Sequence, residues 1–437
     1  MLRRHIAKHL RTTAPRHLLS SSSLRQISTA PSNPPDEELV PDETVFDNIF
    51  LRDACTCPSC VDPSSKQKSF STAQLPTDTY IKSRRAVADP EHCVEITWGA
   101  STQPDHVSRY PVSQLKTFGS PVLRFSKHWD FARPEIFWHQ KTLKENLVVR
   151  EYKDYLENEE ALDDVVLGLY SSGLAFVKGA PAAEKDADGE IVVEKVARKI
   201  GYIKETFYGT SWNVRSIANA KNIAYTSVNL PLHMDLLYYE SPPGIQLLHC
   251  IENSAQGGES VYADSFRAAY LILERDPAAF FALATFPITF HYDNDGYHYM
   301  HTRPLIELDP YYKEGHPSLP RARIKCVNYS PPFQGPFEHM ISRSSLEKHT
   351  DLTQQGEFRQ FLRAYRMFED IINDRREQYE EKFAPGDIAL FMNRRVLHSR
   401  REFKVPTDSE QQFGRWLKGT YLDIDSFYSK LRGTSGL

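Results

Sequence analysis

The chain has 437 residues, 40% hydrophobic and 12% aromatic, with 53 Lys and Arg against 57 Asp and Glu. That length exceeds one ordinary domain and predicts two domains plus a tail. The near-balance of charge gives no basis for a nucleic-acid partner, and no apolar run approaches the roughly 20 residues of a membrane span.

Residues 1–35 carry Arg3, Arg4, Lys8, Arg11, Arg16 and Arg25, a serine run from Ser20 to Ser23, and no acid before Asp36. Arg-rich, Ser-rich and acid-poor is the composition of a mitochondrial transit peptide, cleaved near Ser28–Ser32. The expected location is the mitochondrial matrix, with the cytoplasm as the alternative if the tail is only a disordered basic leader.

Residues 40–125 are expected to form a small first domain. It contains Cys55, Cys57 and Cys60 within six residues, whereas Cys93, Cys250 and Cys326 are scattered. Three thiols this close suit three corners of a tetrahedral structural zinc site better than a disulfide framework. Three free thiols are the bland alternative. The fourth ligand has three candidates: His92, Cys93, and His106 in the loop after a strand at Cys93–Trp98. A closed site of this kind staples a unit too small for a large core.

Residues 126–150 read as a connector with aromatic anchors. A helix from Leu162 leads into a strand at Leu174–Val177, and Ile191–Ile200 has helical spacing. The aromatic stretch Phe207–Trp212, followed by Tyr225, precedes His233-Met234-Asp235. It reads either as sheet packing or as an aromatic box that attracts a quaternary ammonium ion. Gly244–Cys250 is a buried strand. Gly257-Gly258 makes a tight turn before a strand at Val261–Ala263, and Asp264-Ser265 and Asp276-Pro277 each open a helix. Residues 300–356 read as irregular apart from a strand at Ile324–Tyr329. A long amphipathic helix follows, with Phe358, Phe361, Tyr365, Phe368 and Ile372 on one stripe. Pro385-Gly386-Asp387 turns into the strand that carries His398.

The chemistry centres on His233-x-Asp235. On a strand, residues two apart face the same way, so both side chains reach one metal, and His398 would complete a two-histidine, one-carboxylate triad of the non-heme Fe(II) type. A bare pair of this kind also arises by chance, as a hydrogen-bonded core histidine beside a surface acid. Short strands punctuated by turns, with helices between, predict a mainly β fold with helices, a sandwich or jelly roll.

Four stretches carry a resemblance: Leu51–Cys57, Thr206–Gly209, Pro243–Cys250 and Asn393–Arg400. The region from about 45 to 430 resembles the gamma-butyrobetaine dioxygenase family, which includes trimethyllysine dioxygenase and uses Fe(II) and 2-oxoglutarate. The resemblance implies a small zinc-binding N-terminal β domain and a double-stranded β-helix (jelly roll) catalytic domain over 140–437. It implies that His233, Asp235 and His398 hold iron and that Cys55, Cys57, Cys60 and His106 hold Zn(II). Arg415 would grip the distal carboxylate of 2-oxoglutarate, with Ser260 beside it. Tyr208, Trp212, Tyr225 and Tyr421 would cage a trimethylammonium group, and Asn328 would contact the substrate carboxylate.

The implied reaction hydroxylates gamma-butyrobetaine to L-carnitine in carnitine biosynthesis, consuming O2 and 2-oxoglutarate, with ascorbate as reductant and a homodimer as the expected assembly. The chain departs from the family at Met234, where a threonine is usual, and over Asn328–Phe337. Those departures leave trimethyllysine or another betaine or carboxylate open as the substrate. A non-catalytic metal-binding relative is the third possibility, against which the intact His233, Asp235, His398 and Arg415 count.

Overall fold

The computed structural model describes residues 46–88, 92–100, 105–129, 131, 133–215, 228–309, 323–337, 352–404 and 414–435. The basic leader 1–35 and Tyr225 lie outside these residues.

Helix α1 (Asn48–Asp53) starts where the Asp47 carboxylate accepts from the backbone N–H of Phe50, an ordinary N-cap. Strands β1 (Tyr80–Val87), β2 (Cys93–Gly99) and β3 (His106–Pro111) form an antiparallel sheet in that order. Its core is small: Leu51, Ile96, Trp98 and Tyr110. The Trp98 indole donates to Ser108 and the Tyr110 hydroxyl to the carbonyl of Leu51, so the polar tips of both buried rings are satisfied. His106 opens β3; it does not lie in a loop, as the sequence suggested.

The stretch 126–150 is more ordered than a connector. It holds the end of helix Pro121–Trp129, all of helix Gln140–Asn146 and most of strand β4 (Val148–Glu151). Helix α2 (Glu159–Ser172) ends on Gly173 in the left-handed region, which turns the chain into β5 (Leu174–Lys178). Next come α3 (Val192–Ile200), β6 (Ser211–Arg215), β7 (Leu230–His233), β8 (Ile245–Asn253) and β9 (Ser260–Asp264). Helices α4 (Ser265–Arg275) and α5 (Pro277–Thr285) follow, capped by Asp264 and Asp276 as the sequence predicted. A hairpin follows, β10 (Pro287–Asn294) and β11 (Tyr297–Pro304), whose last residues run into the stretch 300–356 that the sequence left irregular. Its tip lies at Asp295-Gly296, and the aspartate-glycine signal for a tight turn is in the sequence. Helix α6 (Leu352–Ile372) precedes β12 (Gln378–Glu381), β13 (Ile388–Met392), β14 (Val396–Arg400), β15 (Arg415–Leu422) and α7 (Ile424–Thr434).

Two sheets organise the large unit. A six-stranded sheet runs β4-β5-β13-β8-β15-β6, with only the β4–β5 pair parallel, and a four-stranded sheet runs β12-β9-β14-β7. Phe176, Leu248, Phe391 and Leu417 of the first pack with Tyr262, Tyr379 and Val396 of the second. Strand alternation does the sorting. In β13, Ala389 and Phe391 face this inter-sheet core, while Ile388 and Leu390 face Val165, Val196 and Phe427 of α2, α3 and α7. A strand buried on both faces reads as a continuous apolar run, which is what β13 is.

Pro385–Asp387 leads into β13, not directly into the strand of His398. The chain then crosses from one sheet to the other through Asn393–Arg395. Arg395 is 1% exposed and donates to both carboxylate oxygens of Asp264, at 3.3 and 3.1 Å, and to the carbonyls of Tyr170, Ser171 and Ile136. Asp264 also accepts from the N–H of Phe266 and of Trp138, so the pair ties the crossing to α4, α2 and the segment before β4. Removing one partner strands a buried charge, at a cost of roughly 3–5 kcal/mol. Arg395→Ala is therefore expected to lower the chain's unfolding free energy by about that amount in denaturant melts; a shift within ~0.5 kcal/mol would show the pair to be dispensable.

Candidate functional site

His233 ends β7 and His398 sits in the middle of β14, and the two residues are paired across the antiparallel ladder. Their rings lie 4.2 Å apart, centroid to centroid. Asp235 is two residues beyond His233 but past the end of the strand, so simple same-face alternation does not place it. The chain is bent there: Leu236 adopts φ +57, a conformation that costs a residue with a Cβ about 1–2 kcal/mol. The bend brings Asp235 Oδ1 to 3.4 Å from His233 Nε2 and Oδ2 to 3.9 Å from His398 Nε2. All three residues can offer a ligand atom within 4.8 Å of the others.

The surroundings prepare these groups as ligands. His233 Nδ1–H donates to the carbonyl of Pro231 at 2.8 Å, leaving the Nε2 lone pair for a metal. Burial, together with the His233 ring, pushes the His398 pKa down to about 3, so this imidazole is neutral at pH 7. Burial alone would raise Asp235, but the two histidines and a hydrogen bond from Tyr421 hold its carboxyl well below the usual carboxylate range. Asn393 grips the Asp235 backbone from both sides, accepting from its N–H at 2.8 Å and donating to its carbonyl at 3.0 Å. Two imidazoles and one carboxylate, with an open pocket on the remaining side, suit Fe(II).

The ligand candidates open onto a pocket with a cavity volume of about 80 Å³, partly open to solvent. Tyr208, Trp212 and Tyr421 line it together with the three metal-ligand candidates, Ser260 and Arg415. Trp212 stacks on Tyr421 at 4.1 Å with planes 27° apart, and Tyr208 lies 6.2 Å from Trp212. Arg415 opens β15 and is 4% exposed, and its Nε has no hydrogen-bond partner among the described residues. Gly258, at φ +74, makes room for it: a Cβ there would lie 3.4 Å from Arg415 Cδ and 3.2 Å from Phe403 Cβ. Burial pushes the Arg415 pKa down to about 10, still a full cation at neutral pH.

Asn328 is not brought to the pocket. Its amide N–H groups donate to the carbonyl of Pro304 and to Glu307, and its carbonyl oxygen accepts from Arg394. It is a fully buried strut. Met234 also points away, into the core beneath α4 to α6. By contrast, Pro332 and Phe333, from the second stretch where the sequence departs from its family, do line the pocket. Sequence reasoning missed Arg400. It follows His398 by two on β14, pairs in register with Ser260, and places a second buried guanidinium on the pocket wall. The i, i+2 rule applied to His398 would have found it.

In the N-terminal unit, Cys55, Cys57 and Cys60 Sγ lie 3.3, 3.7 and 3.6 Å from His106 Nε2. A tetrahedral zinc with ordinary Zn–S and Zn–N lengths spaces sulfur and nitrogen about 3.5 Å apart, so these four residues fit a closed zinc site. Of the three fourth-ligand candidates, His106 is the one the fold delivers; His92 is exposed at the edge of β2. Arg52 donates to Cys60 Sγ at 3.3 Å, as an outer partner to a thiolate would. Without a metal, burial pushes the Cys60 thiol up to about 11. Metal analysis of the purified chain is expected to find stoichiometric zinc, lost with a fall in melting temperature in Cys57→Ser and retained in His233→Ala. The reverse pattern would exchange the two sites.

The family model of the taurine catabolism dioxygenases, TauD and TfdA, matches residues 114–421. Dioxygenase str8 of Strobilurus tenacellus is 33% identical over 417 residues, covering 94% of this chain and 90% of that protein. Human gamma-butyrobetaine dioxygenase is 28% identical over 402 residues, covering 91% and 92%. Rat mitochondrial trimethyllysine dioxygenase is 28% identical over 366 residues, covering 82% and 77%. With its site geometry and these similarities together, the chain belongs to the TauD/TfdA family, alongside the gamma-butyrobetaine and trimethyllysine dioxygenases, and is an Fe(II)- and 2-oxoglutarate-dependent dioxygenase.

Proposed function

We propose that the chain hydroxylates gamma-butyrobetaine to L-carnitine. The observation that carries this reading is that Tyr208, Trp212 and Tyr421 share one pocket with His233, Asp235, His398 and Arg415. A quaternary ammonium ion cannot donate a hydrogen bond, so aromatic faces are the natural receptor, worth about 0.5–2 kcal/mol per contact.

In this reading His233, Asp235 and His398 hold iron, and Arg415 with Ser260 receives the distal carboxylate of 2-oxoglutarate. The planar fork of Arg415 suits a bidentate carboxylate contact. Iron and 2-oxoglutarate, when bound, supply the oxidation, in which O2 is consumed, 2-oxoglutarate leaves as succinate and CO2, and one oxygen atom ends as the product hydroxyl. The chain's part is positioning: the aromatic faces fix the cationic end of the substrate, and the buried walls exclude water. The Cys55, Cys57, Cys60 and His106 set would hold a structural zinc. The two facing sheets are read as the double-stranded β-helix of the 140–437 domain, residues 40–125 as the zinc domain, and residues 1–35 as a leader to the mitochondrial matrix. A homodimer is the assembly carried over from the family.

A second reading keeps the chemistry and changes the substrate to trimethyllysine or another betaine or carboxylate. Two observations favour it. Asn328, the residue matched to a substrate-carboxylate contact, is spent inside the fold, and Phe333 enters the pocket from the divergent segment.

Purified chain with Fe(II), 2-oxoglutarate, ascorbate and O2 is expected to form succinate in step with gamma-butyrobetaine consumption. Turnover of trimethyllysine alone would replace the first reading with the second. Arg415→Met is expected to raise the KM for 2-oxoglutarate roughly 10- to 100-fold, the loss of a charge-assisted bidentate contact. Tyr208→Leu should instead raise the KM for the substrate and leave that for 2-oxoglutarate nearly unchanged, because only the substrate carries the quaternary cation.

A further inference from the structure

Tyr421 is matched to the substrate cage, yet its hydroxyl is committed elsewhere. It donates to Asp235 Oδ2 at 2.7 Å, while the ring is 2% exposed and stacked on Trp212. Asp235 needs such a partner. Its backbone is held by Asn393 and bent by the left-handed Leu236 that follows, but a carboxylate can still rotate about its terminal bond. A carboxylate that binds a metal through one oxygen leaves the other buried and in want of a donor. Among the described residues, Tyr421 is the side chain that donates to Oδ2. The oxygen nearer His233 Nε2, at 3.4 Å, is Oδ1.

We propose that Tyr421 is a positioning residue for the metal-ligand carboxylate: its hydroxyl holds Asp235 Oδ2 and turns Oδ1 toward the site framed by His233 and His398. The inference rests on the reading that these three side chains hold iron. Tyr421 comes from β15 of the six-stranded sheet, whereas His233 and His398 lie on the four-stranded sheet. The hydrogen bond therefore also sets the spacing between the two sheets at the pocket. Through the stack with Trp212, the wall that would face a substrate cation is one ring away from the metal ligand.

The test is Fe(II) binding, measured anaerobically by calorimetry without 2-oxoglutarate or substrate, so that activity is not the readout. Tyr421→Phe keeps the ring and the stack and removes only the hydroxyl. It is expected to weaken Fe(II) binding roughly 10- to 100-fold, as loss of an outer partner to a ligand does, with zinc content and apo melting temperature near those of the parent. The charge-transfer band of the Fe(II)–2-oxoglutarate complex should also shift in this variant. Trp212→Leu, which removes the stack and keeps the hydroxyl, should leave Fe(II) affinity within about twofold. Parent-like Fe(II) affinity and an unshifted band in Tyr421→Phe would overturn the proposal. His233→Ala separates the two levels: if it too left Fe(II) binding intact, the metal-site reading itself would fall, whereas its loss of binding beside a parent-like Tyr421→Phe would sink the positioning role alone.

Discussion

The pocket depends on how one partly buried carboxylate, that of Asp235, is held. Asp235 lies past the end of its strand, so the sheet does not fix it. Asn393 holds its backbone, Tyr421 its Oδ2, and His233 and His398 stand against Oδ1 and Oδ2 respectively. These contacts come from three separate parts of the chain, one on each sheet and one at the crossing between them. An unpaired charge at this depth would cost several kcal/mol or take up a proton. The site therefore forms only when both sheets are in place.

The crossing at Asn393–Arg395 serves both fold and site. Asn393 turns toward Asp235 and also donates to the carbonyl of Pro243, while Arg395, two residues on, turns the other way to Asp264. The irregular turn, where strand alternation does not apply, thus sends one polar side chain toward Asp235 and the other to the helical layer. Both are at or near full burial, which is affordable for an amide and a guanidinium only because every strong donor finds an acceptor.

The pocket carries an excess of positive charge from the protein. Arg400 and Arg415 lie on its wall, both beside the Phe403 ring, and Asp235 is the only carboxylate among the lining residues. A metal ion would add to this excess. Such a site suits a dianionic cosubstrate. The two places where the sequence leaves its family separate on the same criterion. Met234 packs into the core and concerns folding, whereas Phe333 faces the pocket and concerns what enters it.

Much of this was legible in the residues themselves. Strand alternation, the helix caps at Asp264 and Asp276, the clustered cysteines and the His-x-Asp pair are local patterns, and local patterns survive folding because backbone geometry enforces them. The hairpin at 287–304 was missed although Asp295-Gly296 signals its turn and Ile288, Phe290 and Tyr292 alternate with polar residues along its first strand. Asn328 was read as a ligand contact when it is a strut, since an isolated asparagine gives no sign of which groups its amide will meet. The sequence by itself determined the reaction class, because its resemblance to a known family carries the metal-ligand set and Arg415 onto residues whose side-chain chemistry suits those roles. Only the tertiary structure decided that His106 is the histidine that joins the cysteines, that Arg400 enters the pocket, and that Tyr421 touches Asp235. Those are juxtapositions of residues tens to hundreds of positions apart, and no short-range pattern records where two sheets will face each other.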